Sequence, residues 1–204
     1  MNTLKITTLV VALCGVSAAQ AVTIATHDDP SVGAPQVFTI DYNTNTVMGG
    51  WALPGLNLSI PVLAGNYNNL TMSVANMAIT NVQVVGPLTI LTLGAGEIRY
   101  WDTDINNPVF QVNFDSATLV EPATAQAADL TGNNVTFSGS GLGALNGNLT
   151  NEVIAYSFAN PVYNGNVHTY TASMTSSADV VPEPASMTLL ALGVAAFTAR
   201  RRAR

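Results

Sequence analysis

Hydrophobic and polar residues alternate through most of the middle of the chain, and this period of two places each apolar set on one face of a β-strand. Five such sets are Phe38, Ile40 and Tyr42; Leu70, Met72 and Val74; Phe110, Val112 and Phe114; Ile154, Tyr156 and Phe158; and Tyr170, Ala172 and Met174. Thr and Asn are abundant around them, and Thr favours strands while Asn favours turns. The pattern predicts an all-β domain of roughly nine to eleven strands without a long helix.

Turn-forming residues separate these runs at short intervals. They are Gly49-Gly50, Pro54-Gly55, Gly65-Asn66, Gly86-Pro87, Asn106-Asn107-Pro108, Asn146-Gly147 and Asn164-Gly165. We expect residues 22–174 to form a single antiparallel β-sandwich resembling a jelly roll, with a loop or a weakly packed hairpin over residues 131–150. A β-solenoid is the alternative, although no fixed-period repeat supports it. Residues 175–180 are predicted to be a polar linker.

The first residues have the three parts of a secretory signal peptide. Lys5 provides a positive charge, residues 6–16 are nearly all apolar, and Ala19 and Ala21 are the small residues that signal peptidase requires. Residues 1–21 are therefore predicted to be a signal peptide, removed by signal peptidase before Val22. This helix and an apolar C-terminal helix are expected to flank the β domain.

The C-terminus carries a second targeting pattern. In order it holds Val181, Pro182, Glu183 and Pro184, then an apolar run over residues 185–199, then Arg200, Arg201, Arg202 and Arg204. As a helix the apolar run is roughly 22 Å long, so it spans a bilayer core of about 30 Å only marginally. Basic residues stay on the cytoplasmic side, which places residues 22–180 outside.

This tail resembles the PEP-CTERM sorting domain of Gram-negative bacteria, and the resemblance covers only residues 181–204. It implies a precursor anchored in the inner membrane and cut by an exosortase near Pro182 to Pro184. It also implies a mature form at the cell surface or in the extracellular matrix, in association with exopolysaccharide or biofilm. The resemblance concerns the route and not the activity of the β domain. A permanent C-terminal membrane anchor is the alternative.

Charge is distributed very unevenly between the tails and the domain. Of the twelve Asp and Glu residues only Glu183 lies outside residues 22–181, and Arg99 is the one Lys or Arg inside them, so the domain's formal charge is near −10. Nucleic acid is a poor partner for such a surface, because phosphate binding requires cations. The single cysteine, Cys14, leaves with the signal peptide, which excludes disulfides and thiol catalysis in the domain.

Asp102, Asp104 and Asn106 place oxygen-bearing side chains at every second position, a spacing that can bind Ca²⁺. The match to an EF-hand loop is poor, because Asn107 stands where glycine is needed and Asn113 where a bidentate Glu is needed. The alternative is a polar turn whose side chains cap their own backbone. Weak calcium binding is thus a secondary prediction, and no other cofactor is expected.

Trp101 directly precedes these acids and is the best candidate for ligand binding. An exposed tryptophan can stack on a sugar ring, but burial in the core is the favoured interpretation for so large an apolar side chain. Strand alternation places Glu97 and Arg99 on the same face as Trp101, and we expect Arg99 to pair with Glu97 or another acid.

The remaining chemistry does not favour an enzyme. The domain has only two histidines, His27 and His168, and no G-x-S-x-G nucleophile elbow. His168 shares a strand face with Tyr170, so a half-buried structural histidine is expected. The sequence predicts a non-catalytic exported surface or matrix protein. A lectin-like module that binds carbohydrate or calcium is the main alternative, and a glycan-processing enzyme is a weaker one.

Overall fold

The computed structural model describes residues 21–28, 37–122 and 128–180. Two short 3₁₀ turns lie at Pro61–Leu63 and Ser140–Leu145, and the remaining regular structure is β. The strands are β1 (Ala21–His27), β2 (Phe38–Asp41), β3 (Thr46–Ile60), β4 (Gly65–Val85), β5 (Leu88–Leu93), β6 (Gly96–Trp101), β7 (Phe110–Phe114), β8 (Ser116–Pro122), β9 (Ala128–Asn133), β10 (Thr136–Ser138), β11 (Leu149–Asn164) and β12 (Val167–Val180).

All twelve described strands belong to one antiparallel sheet, which confirms the all-β prediction. The order of hydrogen-bonded neighbours is β3, β2, β12, β11, β9, β8, β5 and β4. Strand β4 in turn pairs with β3. Strands β6, β7 and β10 extend from β4, and β1 pairs with both β12 and β3. The division into two facing sheets stays a prediction, and both flanking helices lie outside the described residues.

The predicted alternation decides which side chains form the core. In β7 the burial pattern is strictly alternating, with Phe110, Val112 and Phe114 buried. Four of the five predicted apolar sets are buried throughout, and in the remaining set Phe38 and Ile40 are buried while Tyr42 lies in the turn after β2. Three tyrosines, Tyr100, Tyr156 and Tyr170, are among the largest fully buried side chains, so the core needs partners for their hydroxyl groups.

Two of the predicted turns are wrong, because Gly49-Gly50 and Pro54-Gly55 lie inside the long strand β3. Gly49 pairs with Val74 of β4, and the N–H of Gly50 donates to the carbonyl of Val37 at 2.9 Å. A Cβ on Gly49 would lie only 2.3 Å from that same carbonyl oxygen. Glycine is thus needed here because another backbone segment approaches closely, and not because the chain turns.

Gly65-Asn66 likewise lies in a strand, because these residues begin β4 directly after the turn at Pro61–Leu63. The remaining turn signals lie at or next to turns. Gly86-Pro87 joins β4 to β5, and Asn164 pairs with Val167, so the last hairpin has a two-residue loop at Gly165-Asn166. The segment 131–150 is packed more firmly than expected, because Leu142 is fully buried and Phe137 nearly so.

Residues 175–180 are not a linker but the end of β12. They pair with β1 on one side and β11 on the other. Polar side chains fit here because the sheet supplies partners: the Ser176 hydroxyl donates to the Ala25 carbonyl at 3.0 Å and accepts the Ala25 N–H at 2.9 Å. The prediction of a linker was wrong because the low hydrophobicity of residues 175–180 does not reveal these partners.

Candidate functional site

Strand β6 places Trp101 on the outer face of the sheet. Ile98 and Tyr100 point into the core, while Glu97, Arg99 and Trp101 alternate with them and are partly exposed, as the pattern predicted. Trp101 is half-buried and thus intermediate between the exposed and the buried alternatives.

A second tryptophan, Trp51, is partly buried against the core near the same strand. Trp51 of β3 is opposite Met72 of β4. Trp101 of β6 is opposite Thr71, the residue of β4 next to Met72. The two tryptophans line one surface groove, which we call the Trp groove, with a volume of about 560 Å³. Nothing in the sequence connects residues 51 and 101, because only the pairing of both strands with β4 brings them together.

The Trp groove combines aromatic rings with neutral polar groups. Its other polar side chains are Thr39, Thr71, Ser73 and Asn76, and Gly49 and Gly50 form part of its surface. None of the lining residues is charged, and the buried indole N–H of Trp51 finds no hydrogen-bond partner among the described residues. This composition suits a neutral ligand that carries many hydroxyl groups.

A charged network borders the tryptophan on β6. The Arg99 guanidinium contacts both carboxylate oxygens of Glu97, with Nε 2.9 Å from Oε1 and Nη2 donating to Oε2 at 3.0 Å. The Gln111 amide donates to the same Oε2 at 3.0 Å. Arg99 thus pairs with Glu97 through one hydrogen bond and a close ion pair.

The candidate calcium residues lie together in the exposed turn between β6 and β7. The Asp104 carboxylate accepts the N–H of Asn106 at 2.8 Å, and its backbone carbonyl accepts the N–H of Asn107 at 3.1 Å. These bonds are the backbone capping of a polar turn. Within the described ranges no group of three or more His, Cys, Asp or Glu residues is arranged to hold a metal. Calcium binding by Asp102, Asp104 and Asn106 stays a prediction.

The structure also contains a polar cluster that the sequence analysis missed, centred on Glu121. This side chain is only 5% exposed. Its Oε2 accepts the Tyr42 hydroxyl at 2.5 Å, and its Oε1 receives both the Tyr170 hydroxyl and Nδ1 of His168, the latter at 2.6 Å. Burial, followed by the bond to Glu121, raises the pKa of Tyr42 and of Tyr170 above the ordinary tyrosine value, so both hydroxyls stay protonated donors.

Aromatic rings complete the Glu121 cluster. The ring of His168 lies between Tyr42, at 5.1 Å, and Tyr163, at 4.7 Å and perpendicular to it. A cavity of about 380 Å³ lies beside them. Because the protein's own donors already occupy both oxygens of Glu121, we interpret the cluster first as a structural element that joins β8, β12 and the turn after β2. One sequence signal existed: Glu121 continues the buried alternation of Ala117 and Leu119.

The other histidine is deeply buried. Nε2 of His27 lies 3.0 Å from the Ala172 carbonyl, and Nδ1 lies 3.1 Å from the Tyr100 hydroxyl, which is 2.8 Å from that of Tyr156. Burial is the main cause that lowers the pKa of His27 to about 4, outweighing the bond to Ala172. A neutral ring that donates from Nε2 and accepts at Nδ1 satisfies this chain of bonds.

The predicted processing residues lie mostly beyond the described part of the chain. Ala19 and the tail residues from Val181 to Arg202 fall outside it, whereas Ala21 and Val22 are the first residues of β1 and pair with Asp179 and Ala178. No helix within the described ranges is both long and apolar enough to cross a membrane.

Comparison with known families identifies the tail. Residues 180–202 match the PEP-CTERM protein-sorting motif, which confirms the resemblance seen in the sequence. The motif implies an exported protein that an exosortase processes. No curated protein and no solved structure matches the chain. The identification therefore covers the sorting route, and the β domain has to be interpreted from its own geometry.

Proposed function

We propose that the chain is a non-catalytic protein of the cell surface or extracellular matrix, which acts through the outer faces of its β domain. The main support is the position of the sorting motif. Strand β12 is paired up to Val180, where the matched region begins, so a complete domain precedes the segment that an exosortase recognises. Cleavage near Pro182 to Pro184 would leave all the described residues of β12 in the released domain.

The polar groups of the interior support the non-catalytic part of the proposal. The buried His27 and Glu121 and the half-buried His168 are the groups most suited to proton transfer there, and all three are bonded to other groups of the protein. The proposal requires no cofactor. The expected partners are the signal peptidase and exosortase during processing, and exopolysaccharide afterwards.

Intact mass spectrometry of the protein recovered from the native envelope and medium tests the route. A species that begins at Val22 and ends near Pro182 to Pro184 is expected, and its tail cleavage should disappear in a strain lacking the exosortase. A mature species that retains Arg200 to Arg204 would show that the tail is a permanent anchor, contrary to the proposal. Co-fractionation with exopolysaccharide then tests the matrix assignment separately.

A second candidate function is binding of a neutral glycan in the Trp groove. It rests on one observation, the convergence of Trp51 and Trp101 on a groove with hydroxyl and amide groups and no charge. Aromatic faces stack on the apolar faces of sugars, while the polar side chains bind their hydroxyl groups.

Affinity electrophoresis in gels containing neutral polysaccharides tests this candidate. Retardation of the wild-type protein should be lost in Trp101→Ala and in Trp51→Ala. The matched control is Tyr163→Ala, which removes an exposed aromatic residue outside the groove. Absence of retardation, or equal losses in all three variants, would contradict glycan binding at the Trp groove.

A further inference from the structure

Strand β4 loses one of its two neighbours part of the way along its length. Up to Ala78 it pairs with β3, and the last backbone bond on that side joins the N–H of Ile79 to the carbonyl of Asn45 at 2.8 Å. From Asn81 to Val85 it pairs with β5, and no other described strand pairs with it there. Residues 80–85 therefore form an open edge of the sheet, which we call the β4 edge.

The β4 edge is exposed and apolar. Val82, Val84 and Val85 are 46%, 71% and 48% exposed. Val84 is the most exposed of the large hydrophobic side chains in the described residues. Every second residue of an edge strand directs its N–H and C=O away from its one neighbour, which leaves them available to another strand.

The usual protections of an edge are missing from this stretch. Proteins commonly blunt edges with charged side chains, prolines or bulges. Residues 79–93, which include both strands of this hairpin, contain no charged residue, and the single proline is in the turn at Pro87. A bulge occurs between Ile79 and Asn81, but from there to Val85 the pairing with β5 is regular.

We propose that the β4 edge pairs with the β4 edge of a second copy of this chain, so that the two sheets continue across a two-fold axis. The self-complementarity of an unprotected edge strand is the reason for choosing a second copy. Eleven acidic residues against Arg99 make two domains repel over most of their surfaces, whereas this uncharged hairpin allows approach at the lowest Coulomb cost. This inference goes beyond the proposed function and does not depend on the sorting route.

Symmetry also suggests a register. If the two-fold axis passes through Gln83, the two copies of Gln83 face each other and Val82 of each copy lies opposite Val84 of its partner. Cross-strand pairs of β-branched residues stabilise antiparallel strands, and a two-fold axis closes the assembly at a dimer. An edge of six residues is small for an interface, so we expect a reversible dimer whose fraction rises with concentration.

Sedimentation velocity over a concentration series tests the proposal, with the purified full chain in a mild detergent that keeps residues 181–204 from associating. The wild-type protein should pass from monomer to dimer. Val84→Lys should weaken association by at least about tenfold, because it places a charge in the paired edge. The matched control is Val153→Lys, which makes the same change at an exposed valine of β11 and should leave association unchanged.

Gln83 provides a charge-exchange test of the two-fold axis. Gln83→Glu and Gln83→Lys should each weaken the dimer, since each places like charges opposite one another, and an equimolar mixture of the two variants should restore it. A general charge effect predicts instead that Gln83→Lys strengthens association, because it lowers the net negative charge. A wild-type protein that stays monomeric, equal effects of Val84→Lys and Val153→Lys, or a mixture that stays monomeric would each overturn the proposal. Circular dichroism verifies that every variant is folded.

Discussion

His168 and Glu121 are 47 residues apart in the chain, yet Nδ1 of the histidine lies 2.6 Å from Oε1 of the buried carboxylate. The same carboxylate receives the hydroxyls of Tyr42 and Tyr170, so that strands β8 and β12 and the turn after β2 are joined at one side chain. A buried carboxylate is costly unless donors surround it, and here three donors do so. The cluster is therefore a structural element whose removal should have a large effect.

Glu121→Gln should lower the free energy of unfolding by about 2–4 kcal/mol, because it removes charge-assisted bonds and places an amide N–H₂ against buried donors. Urea unfolding followed by tryptophan fluorescence measures the change. Glu152→Gln is the matched control: that side chain is half-buried and its Oε1 accepts one backbone N–H, from Phe137, which the amide oxygen of Gln can still accept. Equal losses in the two variants would show that the Glu121 cluster contributes no special stability.

Burial of His27 should make stability depend on pH. Its pKa is about 4 in the folded protein and 6.5 for the ordinary side chain, so above pH 6.5 both states are neutral and the native bonds contribute fully. As the pH falls from 6.5 towards 4 only the unfolded state binds the proton, and about 3 kcal/mol of stability is lost. Below that range the loss is complete.

Urea unfolding at about pH 7.5 and about pH 4.5 measures this loss, and His27→Gln separates it from the titration of the carboxylates. The variant should be less stable than the wild type at the higher pH, and the difference between them should shrink at the lower pH. A difference that stays constant would mean that His27 titrates as an ordinary histidine.

Gly49→Ala should destabilise the protein by about 1–3 kcal/mol or more, because its Cβ would meet a backbone carbonyl oxygen that cannot move without disturbing strand pairing. Gly94→Ala is the control, since the nearest atoms to a Cβ there lie at 3.8 Å. Thermal or urea unfolding should show a change of no more than about 0.5 kcal/mol for the control. Similar values for both would indicate that residues 37 and 49 separate easily.

Arg99→Gln should have only a small effect on stability, despite its two contacts with Glu97. Both side chains are about one-third exposed, and pairs of this kind contribute about 0.2–1 kcal/mol. A double-mutant cycle with Glu97→Gln, repeated at low and high salt, should give a coupling energy that decreases as salt is added. A large coupling that is insensitive to salt would show that the network with Gln111 is stronger than its exposure indicates.

Strand alternation and the terminal signals could be predicted because each depends on residues close together in the chain. Period-two patterning identified the inward residues of β4, β7, β11 and β12, and the order of Pro-Glu-Pro, apolar run and arginines identified the sorting motif. The pairing of Arg99 with Glu97 was equally local, since residues two apart on a strand share a face.

Predictions failed where one residue type has two structural roles. Glycine and proline mark turns, but Gly49 and Gly50 are in β3 because a neighbouring carbonyl approaches the backbone there. Serine and threonine resembled a linker over residues 175–180, but hydrogen bonds to strands on both sides make this segment part of the sheet. In each case the deciding partner is distant in the chain.

The sequence by itself determined the β class, the faces of the strands, the acidity of the domain and the sorting route, because periodicity, composition and terminal motifs are properties of the chain alone. Only the tertiary structure decided which strands became neighbours. That choice brought Trp51 and Trp101 to the lining of one groove, enclosed Glu121 with His168 and two tyrosines, and left residues 80–85 without a second partner among the described strands. These sites depend on contacts between residues far apart in sequence, and the free energy of such contacts is set by packing of the whole sheet rather than by any local pattern.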